Sequence, residues 1–446
     1  MLKIKTLLYI SVATALFLSS CKKDEPANDL DISLQQAIVD ASFGKGPSYF
    51  QMPRSTDFNN IPQDPNNPLT TEKVELGKAL FHETAFAQAN VFPITMEEYS
   101  CASCHHAEAG FQAGVRQGLG EGGEGFGLRG QGRVKNALCD ASMVDVQPVR
   151  TPSAMNGAFQ PLMLWNGQFG TTDANEGTED RWKEGTPLAT NKLGFQGLET
   201  QAIAGMGVHR LKINEELVTA FDYKDAFDKA FPDLPLEERY SNTTAGLAIA
   251  AYERTVLANE APWQKYLKGN TLALSDYEKE GAILFLGKGQ CVSCHTGPAL
   301  NDMKFHALGM GEFDPTEVFF YNPEDPAQFG RYSFTAVEAD RYKFKTPQLY
   351  NLRHVNFYGH GGTFTSIEEV IAYKNEAVPQ VAAAQEYLSS TFKPKGLSDD
   401  EVKKIAAFVT YGLEDNNLQR YVPSELPSGN CFPNNDVSSR KDLGCE

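Results

Sequence analysis

The chain lacks an excess of basic residues. Its 40 Lys and Arg stand against 57 Asp and Glu, which gives a formal net charge of -17 over 446 residues. Proteins that bind nucleic acid neutralise backbone phosphates with clustered Lys and Arg. The composition therefore excludes a nucleic-acid partner and favours a solvated, acidic surface that would attract basic partners.

The chain also lacks, at its N-terminus, a hydrophobic run long enough to cross a bilayer. Two lysines precede an apolar run at 7–18, shorter than the roughly 20 residues that a spanning helix needs. Such a run is typical of a signal peptide. It ends in Leu18-Ser-Ser-Cys21, which resembles a bacterial lipobox, so we expect a lipoprotein signal peptide at 1–20 and a lipid anchor on Cys21. The alternative is an ordinary secreted protein with a chance cysteine. Either way the expected location is the periplasm or cell envelope.

Cysteine is scarce, and four of the eight cysteines lie in two copies of one motif. The copies are C-A-S-C-H at 101–105 and C-V-S-C-H at 291–295. A C-x-x-C-H run is typical of c-type haem attachment, because two thiols add to the vinyl groups and the histidine is delivered to the iron. Two covalently bound c-type haems are therefore predicted. Their attachment and ligand residues are Cys101, Cys104, His105, Cys291, Cys294 and His295.

The alternative to haem is zinc, for which the two cysteine pairs would have to converge on one ion. Neither the long separation of the motifs nor the trailing histidines call for that. Three cysteines then have no assignment. Cys431 and Cys445 can close a small disulfide loop in an exported protein, which leaves Cys139 without a partner and without an argued role.

Helical periodicity predicts a mainly α protein with two cytochrome c-like haem domains and long loops. The segment EKVELGKALF at 72–81 matches EKEGAILF at 278–285, and both precede a C-x-x-C-H motif, so the repeat is larger than the motif. The Gly-rich segment 118–132 lacks the G-K-[ST] of a phosphate loop and is expected to be a flexible loop beside the first haem. Further helices are predicted at 33–42, 217–231, 243–257, 365–374 and 398–411. The predicted organisation is a signal peptide at 1–20, a tether at 21–70, an N-terminal haem domain at 71–262, a C-terminal haem domain at 263–420 and a tail at 421–446.

The region 71–411 resembles the bacterial dihaem cytochrome c peroxidase family, which includes relatives that oxidise protein tryptophans. The motifs that carry the resemblance are CASCHHAEAGFQ, RTPSAMNGAF, LWNGQ, LETQA, LAIAAYERTV, GPALNDMKFHALG, FKTPQLYNL and GHGGTFTSIEEVI. The resemblance implies that the N-terminal haem meets peroxide and that the C-terminal haem receives electrons from an external donor. The family's dimers imply a homodimer here.

Four residues take site roles through this resemblance. Trp165 stands in the place of a tryptophan that relays electrons between the haems, against the alternative of a simple packing residue. Gln201 matches a glutamine near the peroxide site. The family's active-site glutamate falls on His209, with Arg210 beside it. A histidine can shuttle the proton instead and an arginine can stabilise the leaving oxygen, so His209 is predicted to be the distal acid/base; a histidine held in a loop is the alternative.

The distal ligands also depart from the family. No histidine lies between His106 and His209, so the first iron is expected to be five-coordinate and open to peroxide without activation, unless His209 itself ligates it. The position of the family's distal ligand of the second haem corresponds to Lys374, with Tyr373 as the alternative ligand. The other alternative is that Lys374 is an ordinary surface lysine without a ligand role. His306 is expected to contact a propionate or the core.

The family's calcium site, around Lys345-Thr346-Pro347, is doubtful here because Arg150 replaces an asparagine that helps to hold the ion. Together these features predict a peroxidase that reduces hydrogen peroxide with electrons from a small cytochrome c. The alternatives are a dihaem oxidase that modifies a protein or organic substrate, and a dihaem electron carrier without catalysis. A carrier would need strong ligands on both faces of both irons, which the missing loop histidine argues against.

Overall fold

Helices dominate residues 29–445, the part of the chain that this computed structural model describes, and the mainly α prediction is confirmed. The predicted signal peptide and Cys21 lie outside the described residues. Within 29–445 no helix is both long and apolar enough to cross a membrane. The α-helices are α1 (Asp29–Ala41), α2 (Thr71–His82), α3 (Gly197–Val208), α4 (Glu215–Ala220), α5 (Lys224–Ala230), α6 (Leu236–Arg239), α7 (Asn242–Thr255), α8 (Pro262–Leu267), α9 (Asp276–Leu286), α10 (Tyr332–Thr335), α11 (Ile367–Glu376), α12 (Asp399–Ala407) and α13 (Val437–Leu443). The strands are β1 (Gly123–Glu124), β2 (Val134–Lys135), β3 (Phe305–Ala307) and β4 (Lys343–Lys345), which pair as β1 with β2 and β3 with β4, both antiparallel.

Two groups of helices share one packing feature, a close helix–helix contact at a glycine. In the first, α2 packs on α7, which also contacts α3. In the second, α9 packs on α12. A Cβ on Gly77 of α2 would lie 1.8 Å from the Ala248 carbonyl oxygen, and one on Gly281 of α9 would lie 2.0 Å from that of Lys404. Only glycine allows so close an approach of two helices, and the two glycines occupy matching places in the segments predicted to be repeats.

Each repeated helix leads to a haem motif. After α2 the chain reaches a 3-10 turn at Cys101–Ser103, and after α9 it reaches the same kind of turn at Cys291–Ser293. The second helix begins with a capping box, in which Ser275 and Glu278 satisfy each other's backbone N–H groups. The internal repeat therefore extends from sequence to structure, with one helix and one motif turn in each half.

The predicted tether at 21–70 is wrong over residues 29–70. Helix α1 packs against α9, where Lys279 Nζ lies 2.9 Å from Asp31 Oδ1 in a nearly buried ion pair. Leu34, Ile38 and Phe50 are fully buried. The polar, Pro/Asn-rich composition of this segment suggested a linker. Composition alone does not show that the few apolar residues of the segment are buried in the core.

The tail at 421–446 folds back on the first motif. The predicted Cys431–Cys445 disulfide is confirmed. It closes a loop in which Asp436 forms a buried ion pair, at 3.4 Å, with Arg133 next to β2. The Ser103 hydroxyl, inside the first motif turn, hydrogen-bonds to Asn434. The tail therefore packs against the first motif and is part of the folded protein.

Candidate functional site

The first motif presents an imidazole prepared for metal ligation. His105 Nδ1 lies 3.1 Å from the Phe111 carbonyl oxygen. Because a carbonyl only accepts hydrogen bonds, Nδ1 is the donor and Nε2 is left for a metal. Burial lowers the pKa of His105 to about 4, so the ring is in its neutral, ligating form. Cys101 and Cys104 are free thiols, and a Cβ on Gly118 would lie only 3.1 Å from Cys104 Sγ, so the Gly-rich segment lies beside this motif as predicted.

His209 ends helix α3 and pairs with an acid that the sequence did not reveal. Its Nδ1 lies 2.9 Å from Asp145 Oδ2, and the Asp145 side chain is only 7% exposed. Burial alone would lower the pKa of His209, but the charge and hydrogen bond of Asp145 outweigh it, and the net direction is upward. The charge of His209 in turn contributes to lowering the pKa of His105, so the two rings lie within electrostatic range.

The other two residues predicted for the distal site, Arg210 and Gln201, differ in the contacts that their side chains make. Arg210 is the residue after His209 and forms an ion pair with the fully buried Glu121 carboxylate, and its Nη2 donates to the Met143 carbonyl at 2.9 Å. The ion pair with Glu121 holds the Arg210 side chain in place and neutralises its charge. Gln201 lies two turns before His209 on α3. A Cβ on Gly205, between them, would lie 3.8 Å from Gln201 Nε2 and 3.9 Å from His209 Cδ2, so the amide and the imidazole share one face of the helix.

The second motif opens into a cavity. Its lining includes Cys291, Cys294, His295 and Lys374. His295 Nδ1 lies 3.0 Å from the Leu300 carbonyl oxygen, which again leaves Nε2 for a metal. Burial, followed by the Lys374 charge, lowers the pKa of His295 to about 4. This centre repeats the arrangement of the first.

The two candidate ligands of the second haem, Lys374 and Tyr373, differ in their position relative to the cavity. Lys374 lines the cavity, and burial lowers its pKa to about 8, which brings the neutral, ligating amine within reach of ordinary pH. Tyr373 is outside the cavity lining and donates its hydroxyl to the Leu308 carbonyl at 2.6 Å. Met310, which the sequence argument did not consider, also lines the cavity. Lys374 remains the predicted ligand, with Met310 as the side chain that any test has to distinguish from it.

Two buried cations line the same cavity without a carboxylate partner among residues 29–445. Arg150 hydrogen-bonds to the Val115 carbonyl, and Lys345 to Gln160. Burial lowers the pKa of Lys345 to about 7 and that of Arg150 to about 10. Buried cations need an anionic partner, and the two propionate groups of a haem would provide one. The same charges oppose a calcium ion at this place, so the doubt about calcium stands.

Trp165 lies in the wall of the second-motif cavity. Its Nε1 donates to the Arg150 carbonyl at 2.8 Å, and its own carbonyl accepts from the Lys345 N–H at 2.7 Å. The indole lines the cavity of the second motif and meets the ring of His360 edge-on, with centroids 6.3 Å apart. His360 in turn stacks on Phe344 at 3.6 Å. Trp165 is thus held in one orientation, as a fixed relay would require.

Arg331 places a charge beside the Trp165 loop. It comes from the second half of the chain and donates to the Asn166 carbonyl at 3.2 Å and to Asn175 Oδ1 at 2.9 Å. A further expectation concerned His306, which lines the cavity and pairs with Asp302 at 3.2 Å. Its place at the cavity fits the predicted propionate contact, which remains a prediction.

A buried carboxyl group lies beside the first motif. Glu253, on α7, is 7% exposed and one of its oxygens has no hydrogen-bond partner among the described residues. Burial, then the charge of Glu199, raises its pKa to about 8. The group is near enough to Cys101 to influence the pKa of that thiol. The first centre therefore holds a carboxyl that is protonated at neutral pH.

The residues present fit two covalently bound haems. Each motif turn offers two free thiols and an imidazole whose Nδ1 is already engaged, and the second opens on a cavity with two buried basic side chains that have no carboxylate partner within the described part of the chain. Disulfide or zinc chemistry would not explain the cavity or the cations. These features define a protein with two c-type haem centres.

Comparison with known proteins supports the resemblance to a known family. Residues 71–272 match the sequence model of the family described as di-haem cytochrome c peroxidase. The match covers a little under half of the chain and confirms the resemblance inferred from the motifs; members of that family bind two c-type haems.

Individual relatives extend the similarity over most of the chain. A cytochrome-c peroxidase, IdrP1, of Denitromonas iodatirespirans is 28% identical over 78% of this chain and 83% of its own length. The methylamine utilization protein MauG of Methylorubrum extorquens is 27% identical over 78% of this chain and 80% of its own. A solved MauG-like protein associated with microbial copper homeostasis shares the fold, with a TM-score of 0.56 and 23% identity over 82% of this chain and 95% of its own.

Proposed function

We propose that this protein is a peroxidase that reduces hydrogen peroxide to water with electrons from an external donor such as a small cytochrome c. The observation that carries the proposal is the His209–Asp145 pair near the first motif. When bound, the two haems supply the redox chemistry, because peroxide reduction takes two electrons. The residues of this chain supply the proton, the binding site and the path between the centres.

Three side chains of the first centre have roles in this proposal. His209 holds and returns a proton at Nε2, because its Nδ1 is occupied by Asp145. Gln201, on the same face of α3, orients the peroxide through its amide. No histidine occurs at 107–208, so the chain provides no loop imidazole to block the face opposite His105.

Trp165 carries electrons between the centres in this proposal. Its indole lines the cavity of the second motif and donates to the Arg150 carbonyl, and its own carbonyl accepts from the Lys345 N–H in the second half of the chain. Lys374, the predicted ligand facing His295, would lower the potential of the second haem relative to methionine ligation. A low potential at the entry point favours transfer toward the first centre.

Rapid mixing tests the proposal. Hydrogen peroxide is added to fully oxidised protein and, separately, to protein given one electron, while the Soret band and the oxidation of a reduced cytochrome c are followed. We expect a fast reaction without pre-reduction, followed by donor turnover. His209→Gln should lose about 10²–10⁴-fold in rate, whereas His354→Gln, a surface control paired with Glu414 at 3.2 Å, should not. No reaction in either oxidation state would leave an electron carrier.

A second candidate is an oxidase of the MauG type that acts on a protein or organic substrate. An apolar rim near the Arg210–Glu121 pair favours it: Val91, Ile94, Met96 and Met143 are 41–51% exposed. This rim connects to the site because the Phe92 N–H, between two of its members, donates to Glu121 at 2.6 Å. Exposed apolar patches often dock partners. Consumption of peroxide with a mass change in a partner protein, and without donor oxidation, would support this candidate.

We also propose that the protein is exported and anchored by lipid on Cys21. The support is the sequence alone, namely a short apolar run followed by a lipobox. Wild-type protein should fractionate with membranes and Cys21→Ala should not. The homodimer suggested by the family is tested by the mass of the purified protein in solution.

A further inference from the structure

We infer that Asp145 is the positioning residue of the first centre, and that it sets which nitrogen of His209 handles the proton. The inference rests on the proposed function, since it assigns the partner of the same acid/base. Neither the sequence motifs nor the family comparison pointed to Asp145, which stands 64 positions before His209.

The geometry fixes the tautomer. A carboxylate has no hydrogen to donate, so at 2.9 Å the Nδ1 of His209 must donate to Asp145 Oδ2. The neutral ring then has its free lone pair on Nε2. Nε2 can take the proton from one oxygen of hydrogen peroxide and return it to the other as the O–O bond breaks. With two electrons from the donor and two protons from solvent, the products are two waters.

The loop around Asp145 is built to hold the carboxylate in place. Leu119 bridges Val146 in a short antiparallel ladder. Within it the Gly120 N–H donates to the Asp145 carbonyl at 2.9 Å, and the Asp145 N–H donates to the Glu121 carbonyl at 3.0 Å. A Cβ on Gly120 would lie 2.4 Å from Asp145 Oδ2. Only glycine therefore leaves room for the carboxylate at this position.

The same ladder serves two consecutive basic residues. Asp145 holds His209 and Glu121 holds Arg210, whose φ of 58° terminates α3 in the left-handed region. A non-glycine residue in that region is strained unless its surroundings compensate. The two ion pairs fix the end of α3 and aim the His209 ring into the space beside Gly205 and Gln201.

The charged groups around His209 agree with this role. Asp145 raises the pKa of His209, while burial and the neighbouring Arg210 act in the other direction. Glu121 neutralises Arg210. The other ionisable groups within electrostatic range of Asp145 or His209 are Tyr99, His105, Cys101 and Cys104. Asp145 therefore makes the ring more basic as well as orienting it.

The test compares holoprotein variants by stopped-flow mixing with hydrogen peroxide across pH, together with an optical pH titration of the resting protein without peroxide. Asp145→Asn should slow the peroxide reaction about 10–100-fold and shift the inflections of both the rate profile and the optical titration to lower pH. Asp145→Glu should restore part of the rate. The double variant with His209→Gln should be no slower than His209→Gln alone, because Asp145 acts through that ring.

A matched control is Glu414→Gln, which breaks another His–carboxylate pair, that with His354 at 3.2 Å. It should retain wild-type kinetics, and haem content and far-UV circular dichroism should be unchanged in every variant. If Asp145→Asn keeps the wild-type rate and pH profile while His209→Gln is slow, the assignment of Asp145 is overturned and the proposed function survives. If the wild-type protein itself does not react with peroxide, the proposed function fails instead.

Discussion

Glu253 provides the sharpest stability prediction. Its pKa is raised to about 8 in the folded protein, against a model-peptide value of 4.5. Between these two values the folded state holds a proton that the unfolded state has released, so stability falls as pH rises. At about 1.36 kcal/mol per pKa unit, the loss between pH 5 and pH 8 is on the order of 3 kcal/mol. Glu253→Gln keeps the shape of the protonated group and cannot ionise, so it should remove this loss.

The assay is urea denaturation of the holoprotein at pH 5 and pH 8, followed by far-UV circular dichroism. Glu253→Gln should be close to the wild type at pH 5 and more stable by on the order of 3 kcal/mol at pH 8. The control is Glu75→Gln, an exposed carboxylate on the neighbouring helix α2, which should follow the wild type at both pH values. Equal pH dependence in Glu253→Gln and the wild type would refute the reasoning.

Three further predictions concern the ligand, the relay and the tail. Lys374→Met should raise the potential of the second haem and produce the charge-transfer band of methionine ligation, whereas Tyr373→Phe should leave the spectrum unchanged; the reverse pattern would contradict the ligand assignment. Trp165→Phe should slow electron transfer between the centres after rapid mixing of reduced protein with peroxide, while losing only about 1 kcal/mol of stability with its hydrogen bond, and an unchanged transfer rate would exclude it as the relay. Asp436→Asn should cost about 3–5 kcal/mol in urea denaturation because Arg133 stays buried without its ion pair, and a loss below about 1 kcal/mol would contradict that reasoning.

The sequence predicted the parts of the site that local chemistry specifies. The motifs at 101–105 and 291–295 determine thiols and histidine within five residues, so no tertiary information was needed. The helices at 72–81, 243–257 and 365–374 carried a clear apolar stripe, and α2, α7 and α11 lie there. The prediction at 217–231 holds in two pieces, α4 and α5, because Asp222 adopts a φ of 62° between them.

What sequence reasoning missed depends on contacts between distant residues. Helix α3 carries Gln201 and His209, but it is rich in glycine and buried on most of its faces, so it shows no amphipathic stripe. Asp145 lies in a loop without periodicity, and only the fold brings it to His209. Met310 likewise reaches the cavity through the fold alone. No spacing in the sequence signals that these distant residues are in contact. In a structure, such contacts can be found by searching for buried carboxylates beside basic side chains.

The packing of α1 on α9 also bears on orientation at a membrane. If Cys21 carries the predicted lipid, eight backbone steps separate it from Asp29, and a chain of that length spans at most about 30 Å. Because α9 leads directly into the second motif, such an anchor would hold the half that we propose to accept electrons close to the bilayer. The first centre lies in the other half of the chain. A donor that moves along the membrane surface would then meet the entry point without the protein having to turn.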